Sequence, residues 1–267
     1  MATKLDEIIA QTKLGVLDRK GTSDLSLLES RAAAHTPRGF ALHLRRVAQD
    51  GPAVIAELKK ASPSKGLIRA DFHPADLAIS LERSGAAALS VLTDEKFFQG
   101  SLRNLEIASA AVRIPCLRKD FMVDRFQVLE ARAHGADAIL LIVAAHTDAD
   151  LKLLRESARQ YGLDVLCEVH SREELDRAIA IDPEAIGVNS RDLRDFTVHP
   201  EMLFALADLI PSEVVRVAES GIHSGDEMLQ LRAAGYHAFL IGEALMRLPD
   251  PGAGLAAMLQ SPAPAGA

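Results

Sequence analysis

The sequence predicts an α/β protein folded as a (βα)8 TIM barrel with an N-terminal helical extension. Eight short apolar runs, typical of parallel strands buried on both faces, follow one another along the chain. Each gap between two runs has room for a helix and two loops. A length of 267 residues also suits this barrel, which routinely fills about 250 residues as a single unit.

Each predicted strand is bounded by a turn-forming residue, which is Gly, Pro, Asp or Asn. In chain order they are AVIAEL at 53–58, ALSVLT at 88–93, IPCLRK at 114–119, ADAILLIV at 136–143, DVLCEV at 164–169, AIGVN at 185–189, VVRVAES at 214–220 and AFLIG at 238–242. A doubly wound open sheet is the alternative. It normally has fewer strands and begins with a glycine-rich dinucleotide turn, which this sequence lacks.

Helix signals occupy the gaps. One helix is predicted to begin at Pro74 and another at Asp124, and each ends on a glycine. Ser171, with Glu174 three residues later, has the pattern of a capping box before a third helix.

Three segments organise the chain. Residues 1–50 carry helical patterns near 3–20 and 38–49 and are predicted to pack on the barrel or its mouth. Residues 51–260 form the barrel, and the small-residue, proline-rich tail at 261–267 is predicted to be disordered and without a role.

Composition excludes several classes of function. The hydrophobic fraction is 48% and the charged fraction 25%, as in an ordinary globular protein. A net charge of -7 without a long basic run argues against a nucleic-acid partner, so an anionic ligand would need a local positive pocket. No membrane span or cleavable leader is evident, and we expect a cytoplasmic protein that acts as a monomer.

The two cysteines have a structural explanation. Cys116 and Cys167 each lie in a short apolar run, where a reduced cysteine behaves as a small buried hydrophobe. Two isolated residues supply neither a disulfide framework nor a cysteine-rich metal site.

Charged residues end the first strand. Because side chains alternate along a strand, Ile55, Glu57 and Lys59 share one face, and both charges fall at the C-terminal end. That end of a βα barrel faces the active-site mouth, where a charge indicates function. The alternative is a buried ion pair that plugs the barrel.

The same pattern recurs on other strands, which end in Lys119, Glu168, Asn189 and Glu219. Two lysines and three glutamates converging on one mouth must pair or bind a ligand, because desolvating charge is costly. Crowded lysines and carboxylates shift one another's pKa values, which provides a general acid and a general base near neutral pH. These five charged groups are therefore a candidate proton-transfer set.

Histidine, the usual metal ligand, is missing from these predicted strand ends. The nine histidines, such as His43, His134 and His199, are interpreted as surface or capping residues. We therefore expect neither a metal nor a cofactor.

Glycines mark a candidate phosphate site. Gly221 and Gly242 follow the seventh and eighth strands, whose loops commonly present backbone N–H groups to a phosphate in this fold. The loop from Ala61 to Gly66 combines hydroxyls with a lysine and could close over a ligand. An ordinary polar loop explains its composition equally well.

A family resemblance becomes specific at this loop. The segment ELKKASPSKG at 57–66 resembles the E-x-K-x-x-S-P-S-x-G signature of the indole-3-glycerol phosphate synthase family of tryptophan biosynthesis. Similar to that family, and in the same order, are LRKDF at 117–121, CEV at 167–169, GVNSRDL at 187–193, AESGI at 218–222 and FLIGEALM at 239–246. The likeness covers nearly the whole chain and leaves out only the tail.

The resemblance implies a substrate and a set of roles. The substrate would be 1-(2-carboxyphenylamino)-1-deoxyribulose 5-phosphate, which is cyclised, decarboxylated and dehydrated to indole-3-glycerol phosphate. Lys119 would be the general acid of ring closure and Glu168 the general base of dehydration. Lys59 would hold the substrate carboxylate and act as a second acid, while the orienting residues would be Glu57, Asn189 and Glu219.

Substrate-binding positions follow from the same resemblance. The phosphate-side positions would be Ser62, Ser220, Gly221, Gly242 and Glu243, although an acidic residue at 243 can help only through its backbone N–H. Arg191 and Phe121 would line the substrate, the phenylalanine by contact with the anthranilate ring.

Two other functions stay open. A sugar-phosphate isomerase or epimerase would share the phosphate site, but such enzymes usually rely on cysteine and aspartate, paired aspartates, or histidine and a metal. A barrel that has lost catalysis and serves as a binding or assembly partner would show damage to the charged set, and every member is present.

Overall fold

Eight parallel strands form a closed barrel in the computed structural model, which describes residues 3–192 and 197–260. They are β1 (Ala53–Leu58), β2 (Ala88–Leu92), β3 (Cys116–Lys119), β4 (Ala138–Ile142), β5 (Asp164–Val169), β6 (Ala185–Asn189), β7 (Val215–Glu219) and β8 (Ala238–Ile241). Each strand pairs with its neighbours in sequence, and β1 pairs with β8 to close the ring. The predicted fold class is confirmed, and the doubly wound alternative is wrong.

All eight predicted runs form strands, and their differences lie at the ends. The third strand begins at Cys116 rather than at 114, since Pro115 has no N–H to donate to a sheet. The seventh ends at Glu219 because Ser220 adopts a left-handed conformation, with φ of 65°. Both ends stop where the backbone can no longer continue the ladder.

Strand parity divides the core into two layers. Ala53 and Ile55 belong to the apolar cluster inside the barrel, whereas Val54, Ala56 and Leu58 pack in the cluster between the barrel and its outer helices. The predicted alternation therefore holds, and it directs the next inward residue, Glu57, to the interior at the mouth.

Helices surround the barrel and cover its ends. They are α1 (Lys4–Thr22), α2 (Leu25–Ala34), α3 (Phe40–Asp50), α4 (Pro74–Arg83), α5 (Glu95–Phe98), α6 (Leu102–Ala111), α7 (Arg125–Ala133), α8 (Asp148–Gln160), α9 (Arg172–Ile179), α10 (Glu201–Ala207), α11 (Gly225–Ala233), α12 (Glu243–Met246) and α13 (Pro251–Leu259). None of the helices in the described ranges is long and apolar enough to cross a membrane.

The segment before β1 contains three helices, not the two that were predicted. The missed helix, α2, begins at Asp24, whose side chain accepts a hydrogen bond from the Leu27 N–H. Leu25 and Leu27 are exposed while Leu28 and Ala32 are buried, so apolar residues occur on both faces. That distribution hides the helical period in the sequence.

Helix α3 packs at the N-terminal base of the barrel. Its Phe40 and Leu44 are fully buried in the inner cluster. The N–H of Ala41 donates to Asp164 at the start of β5, and Arg38 donates to the buried Asp137 just before β4. These hydrogen bonds fix the N-terminal extension to the end of the barrel opposite the mouth.

Other local predictions have mixed outcomes. The helices predicted at Pro74 and Asp124 form, and Asp124 and Gln127 close a capping box. Both cysteines are buried and free, and burial raises the pKa of each thiol to about 12. The tail at 261–267 lies outside the described residues.

Candidate active site

One cleft at the C-terminal mouth of the barrel brings together every predicted site residue. Its empty space is about 1030 Å³, which includes solvent space at the open entrance. Its lining includes Glu57, Lys59, Ser62, Lys119, Phe121, Glu168, Asn189, Arg191, Glu219, Ser220, Gly221, Gly242 and Glu243. Residues far apart in sequence meet here because all eight strands end at the same rim.

Lys119 lies at the centre of the charged set. Its Nζ is 2.8 Å from Glu168 Oε2 and 2.7 Å from Glu219 Oε2, so one ammonium bridges carboxylates from β5 and β7. Both carboxylates are buried. One ammonium can balance only one carboxylate charge. The triad therefore carries a net negative charge when both glutamates are ionised.

The electrostatics of the triad separate the two carboxylates. Burial raises the pKa of Glu168, but Lys119, His170 and Asn189 outweigh it and hold that pKa low, at about 2. Burial raises the pKa of Glu219 to about 7, with Lys119 opposing and Glu168 reinforcing the change. Burial lowers the pKa of Lys119, yet the surrounding glutamates reverse this and raise it above its ordinary value. Lys119 is thus a cation next to one ionised and one protonatable carboxylate.

A second ion pair lies at the end of β1. Lys59 Nζ is 2.6 Å from Glu57 Oε1, and the carboxylate is buried while the ammonium reaches the cleft. Gly242 makes room for this pair, because a Cβ at that position would overlap the Glu57 side chain. The glycine after β8 therefore supports the charged set as well as the turn.

Asn189 and Arg191 follow β6. The Asn189 Oδ1 accepts a hydrogen bond of 3.0 Å from the Arg191 N–H, which fixes the backbone as the strand ends. The Arg191 guanidinium lies 4.0 Å from Glu243 Oε2 across the cleft. It supplies a positive charge on the side of the cleft formed by the loops after β7 and β8.

Those two loops form the candidate phosphate side. Ser220 and Gly221 both have positive φ, of 65° and 70°, so the chain turns sharply as β7 ends. Glu243, in the first turn of α12, bonds to Arg247 at 3.0 Å. Burial raises the pKa of Glu243, but Arg247 and the nearby lysines outweigh it and lower the pKa, which keeps a negative charge at this edge.

The opposite wall is apolar. The Phe98 and Phe121 rings lie 6.2 Å apart with a tilt of 40°, and Leu92, Leu140 and Ile142 also line the cleft. An aromatic ring could bury its faces here while its polar substituents reach the lysines.

The loop after β1 contributes a short hairpin. Ala61 pairs with Leu67 and Ser62 with Gly66 in antiparallel fashion. Ser62, Pro63 and Ser64 line the cleft, so the loop predicted to close over a ligand stands at the entrance.

The interpretation of all nine histidines as surface or capping residues is wrong for His170. His170 directly follows β5, is largely buried, and has Nε2 3.5 Å from Glu168 Oε1. Its position one residue after a functional strand end was the available signal. His223 also lines the cleft, after β7. The three named examples do lie elsewhere, His134 at the C-cap of α7 and His43 and His199 outside the cleft.

Two further residues were missed. Phe98 belongs to the short helix α5, for which no signal was read. Gly187 lies inside β6, where a Cβ would overlap Glu219 Oε1. A glycine within an apolar strand run is a sign of close approach by another group.

A buried ionic network supports Lys119 from outside the barrel. Arg118 donates to Asp120 at 2.8 Å and lies 3.4 Å from Glu130 on α7. Arg19 of α1 pairs with Glu130 at 2.7 Å. Arg118, the residue before Lys119, therefore ties β3 to α7, and Arg19 ties α7 to the N-terminal extension.

Comparison with known proteins decides the family. The family model for indole-3-glycerol phosphate synthase matches residues 5–258. The indole-3-glycerol phosphate synthase of Koribacter versatilis is 58% identical over 255 residues, which are 96% of this chain and 98% of that protein. That of Dechloromonas aromatica is 50% identical over 258 residues, with 96% and 98% covered. This chain belongs to the indole-3-glycerol phosphate synthase family.

Enzymes of the indole-3-glycerol phosphate synthase family are carboxy-lyases. Solved structures at low identity show the shared barrel alone. A 3-hexulose-6-phosphate synthase from Salmonella typhimurium superposes with a TM-score of 0.63 at 10% identity, covering 78% of this chain and 97% of that one. A thiamine phosphate pyrophosphorylase from Pyrococcus furiosus gives 0.60 at 16% identity, covering 80% and 95%.

Proposed function

We propose that this chain converts 1-(2-carboxyphenylamino)-1-deoxyribulose 5-phosphate to indole-3-glycerol phosphate, with Lys119 as the acid of ring closure. The observation that carries the proposal is the Lys119 ammonium held between two buried carboxylates in a cleft with one apolar and one polar side. The chain also belongs to the indole-3-glycerol phosphate synthase family, which is named for the product of this reaction.

The substrate matches the division of the cleft. Its phosphate is assigned to the loops with Ser220, Gly221 and Gly242, and its anthranilate ring to the wall with Phe98 and Phe121. A substrate with a phosphate and a carboxylate needs cations at both ends. Two cations of the described lining are Arg191, near Glu243, and Lys59, paired with Glu57 at the end of β1.

Ring closure develops negative charge on the ketone oxygen as the aromatic carbon attacks the carbonyl carbon. An ammonium next to that oxygen stabilises the charge and delivers a proton. Lys119 is assigned this role because it is the most enclosed cation of the lining and stays protonated through its carboxylate partners. Loss of CO2 then restores the aromatic ring.

Dehydration requires a base to take a proton from the ring system and an acid to protonate the departing hydroxyl. Glu168 is assigned as the base and Lys59 as the acid, with Glu57 holding Lys59 at 2.6 Å. Asn189 and Glu219 orient these groups and the substrate hydroxyls. A low pKa makes Glu168 a weak base in the empty cleft, so its contact with Lys119 must lengthen when Lys119 turns to the substrate.

The test is turnover of the named substrate by the purified chain, followed by fluorescence of the indole product, with growth of a tryptophan auxotroph as a second readout. We expect product formation and restored growth. A folded protein that binds the substrate without product, or that isomerises a sugar phosphate instead, would contradict the proposal.

A further inference from the structure

His170 is held between two carboxylates at the rear of the cleft. Its Nδ1 lies 3.2 Å from Glu174 Oε2, and its Nε2 lies 3.5 Å from Glu168 Oε1. The ring is mostly buried and does not belong to the cleft lining. Within the charged set, His170 makes its contact with Glu168.

Glu174 fixes the histidine by an altered helix cap. Ser171 caps α9 by accepting the Glu174 N–H at 3.2 Å, as the predicted capping box requires. The return bond, however, goes from the His170 N–H to Glu174 Oε2 at 2.7 Å, one residue before the cap. The carboxylate that would complete the box instead holds both the backbone and the ring of His170.

The free ring nitrogen points to a second partner. Among the described residues, His170 Nε2 has no hydrogen-bond partner although it is buried. Its ion-pair contact with Glu168 Oε1 at 3.5 Å is too long for a hydrogen bond and short enough for strong attraction inside a protein. A doubly protonated ring would place one cationic N–H toward each carboxylate.

This contact makes two otherwise similar carboxylates different. Glu168 and Glu219 each present Oε2 to Lys119 at nearly equal distances. The second oxygen of Glu168 faces His170, whereas the second oxygen of Glu219 is buried without a hydrogen-bond partner in the described part of the chain. Lys119 favours neither, so the asymmetry comes from His170 together with Asn189, which also acts on Glu168 and not on Glu219.

We propose that His170 is a positioning residue that keeps Glu168, rather than Glu219, as the ionised carboxylate next to Lys119. The inference rests on the proposed function, in which Glu168 takes the proton during dehydration. The other groups that face Glu168 are Lys119 from β3, Glu219 from β7 and Asn189 from β6, while Glu174 from α9 faces the histidine. Without His170 the two glutamates would share one proton more evenly.

The kinetic test compares His170→Leu with His170→Gln, which keeps a donor but carries no charge. For His170→Leu we expect the acid limb of the kcat profile to move to higher pH by about one unit, so that kcat falls about tenfold at pH values on that limb and little at pH 7, with KM changed less than about twofold. The direction follows because loss of a cation raises the pKa of a neighbouring carboxylate. His170→Gln should lie between this variant and the wild type.

The control is His43→Gln on α3, outside the cleft, which should leave the profile unchanged. A purely structural role would lower the melting temperature of His170→Leu without moving the pH profile, and that result would overturn the proposal.

A second measurement needs no activity. The pKa of the His170 ring is read by NMR in the wild type and in Glu168→Gln, and we expect it to fall when the carboxylate is neutralised. An equal ring pKa in both proteins would show that His170 and Glu168 do not interact. That result would overturn the proposal even if His170→Leu failed to fold. Retention of full turnover by Glu168→Gln would instead contradict the role of Glu168 in the proposed function, so the two failures are distinguishable.

Discussion

Gly187 of β6 leaves the space that the Glu219 carboxylate occupies, and a Cβ at position 187 would overlap Glu219 Oε1. The glycine backbone is ordinary strand, without positive φ, so the need for glycine here is one of space. The position of Glu219, one carboxylate of the Lys119 triad, therefore depends on the absence of a side chain at Gly187 on the neighbouring strand.

Replacing Gly187 with alanine should reduce kcat by about a hundredfold, because the methyl group displaces Glu219 from Lys119 and small misplacements in a site have effects of this size. Steady-state turnover measures the loss. The control is Gly51→Ala, where a Cβ meets nothing within 4 Å. Equal activity of the two variants would show that Glu219 can move without consequence.

Glu219→Gln should change how stability depends on pH. The folded pKa of Glu219, about 7, lies above its ordinary value of 4.5, so between these values the folded protein binds more protons than the unfolded chain. By linkage, the free energy of unfolding attributable to this group falls as the pH rises from about 4.5 to 7. The wild type should therefore lose stability relative to Glu219→Gln across that window in urea titrations.

Glu243→Gln provides the control of opposite sign. The folded pKa of Glu243 lies below its ordinary value, so its contribution is already complete above that value and is lost only in acid. Its difference from the wild type should stay constant from about pH 5 to 7. A constant difference for Glu219→Gln as well would contradict the raised pKa of Glu219.

The same Glu243→Gln variant should bind the substrate more tightly. A carboxylate at the proposed phosphate side repels a phosphate dianion, and its removal is worth about 1 kcal/mol across solvent, or roughly a fivefold decrease in KM. Inhibition by inorganic phosphate should strengthen in parallel. The comparison variant is Glu173→Gln, an exposed residue of α9 outside the cleft lining; an unchanged KM in both would argue against phosphate at this edge.

Arg118→Met should destabilise the fold by about 3–5 kcal/mol, because it leaves the buried Asp120 and Glu130 without their shared cation. Chemical denaturation measures the change. Arg103→Met removes an exposed arginine that pairs with Glu106, and should cost less than about 1 kcal/mol. Similar losses for both variants would mean that the network is not a single buried unit.

Much of this site could be predicted because strand parity is a local property. Knowing that Ile55 faces inward is enough to direct Glu57 to the mouth, and the same step applies to Lys119 and Glu168. The closed barrel then brings these strand ends together without further information.

Other features depend on contacts that local patterns do not carry. The role of Gly187 requires the Glu219 side chain on the next strand, and the Arg19–Glu130–Arg118 network joins three distant elements. His170 was misjudged because its ring is held by Glu174, which the capping-box pattern assigned to the helix alone. Helix α2 was missed because its exposed leucines conceal its buried face.

The central claim is that the Lys119 ammonium supplies the proton for ring closure. Its most direct test is turnover of 1-(2-carboxyphenylamino)-1-deoxyribulose 5-phosphate by Lys119→Met, compared with Lys60→Met, a lysine beyond β1 that does not line the cleft. We predict that Lys119→Met, with a circular dichroism spectrum like that of the wild type, loses about a thousandfold in kcat, while Lys60→Met keeps nearly all of it. A folded Lys119→Met enzyme with kcat within tenfold of the wild type would contradict the account.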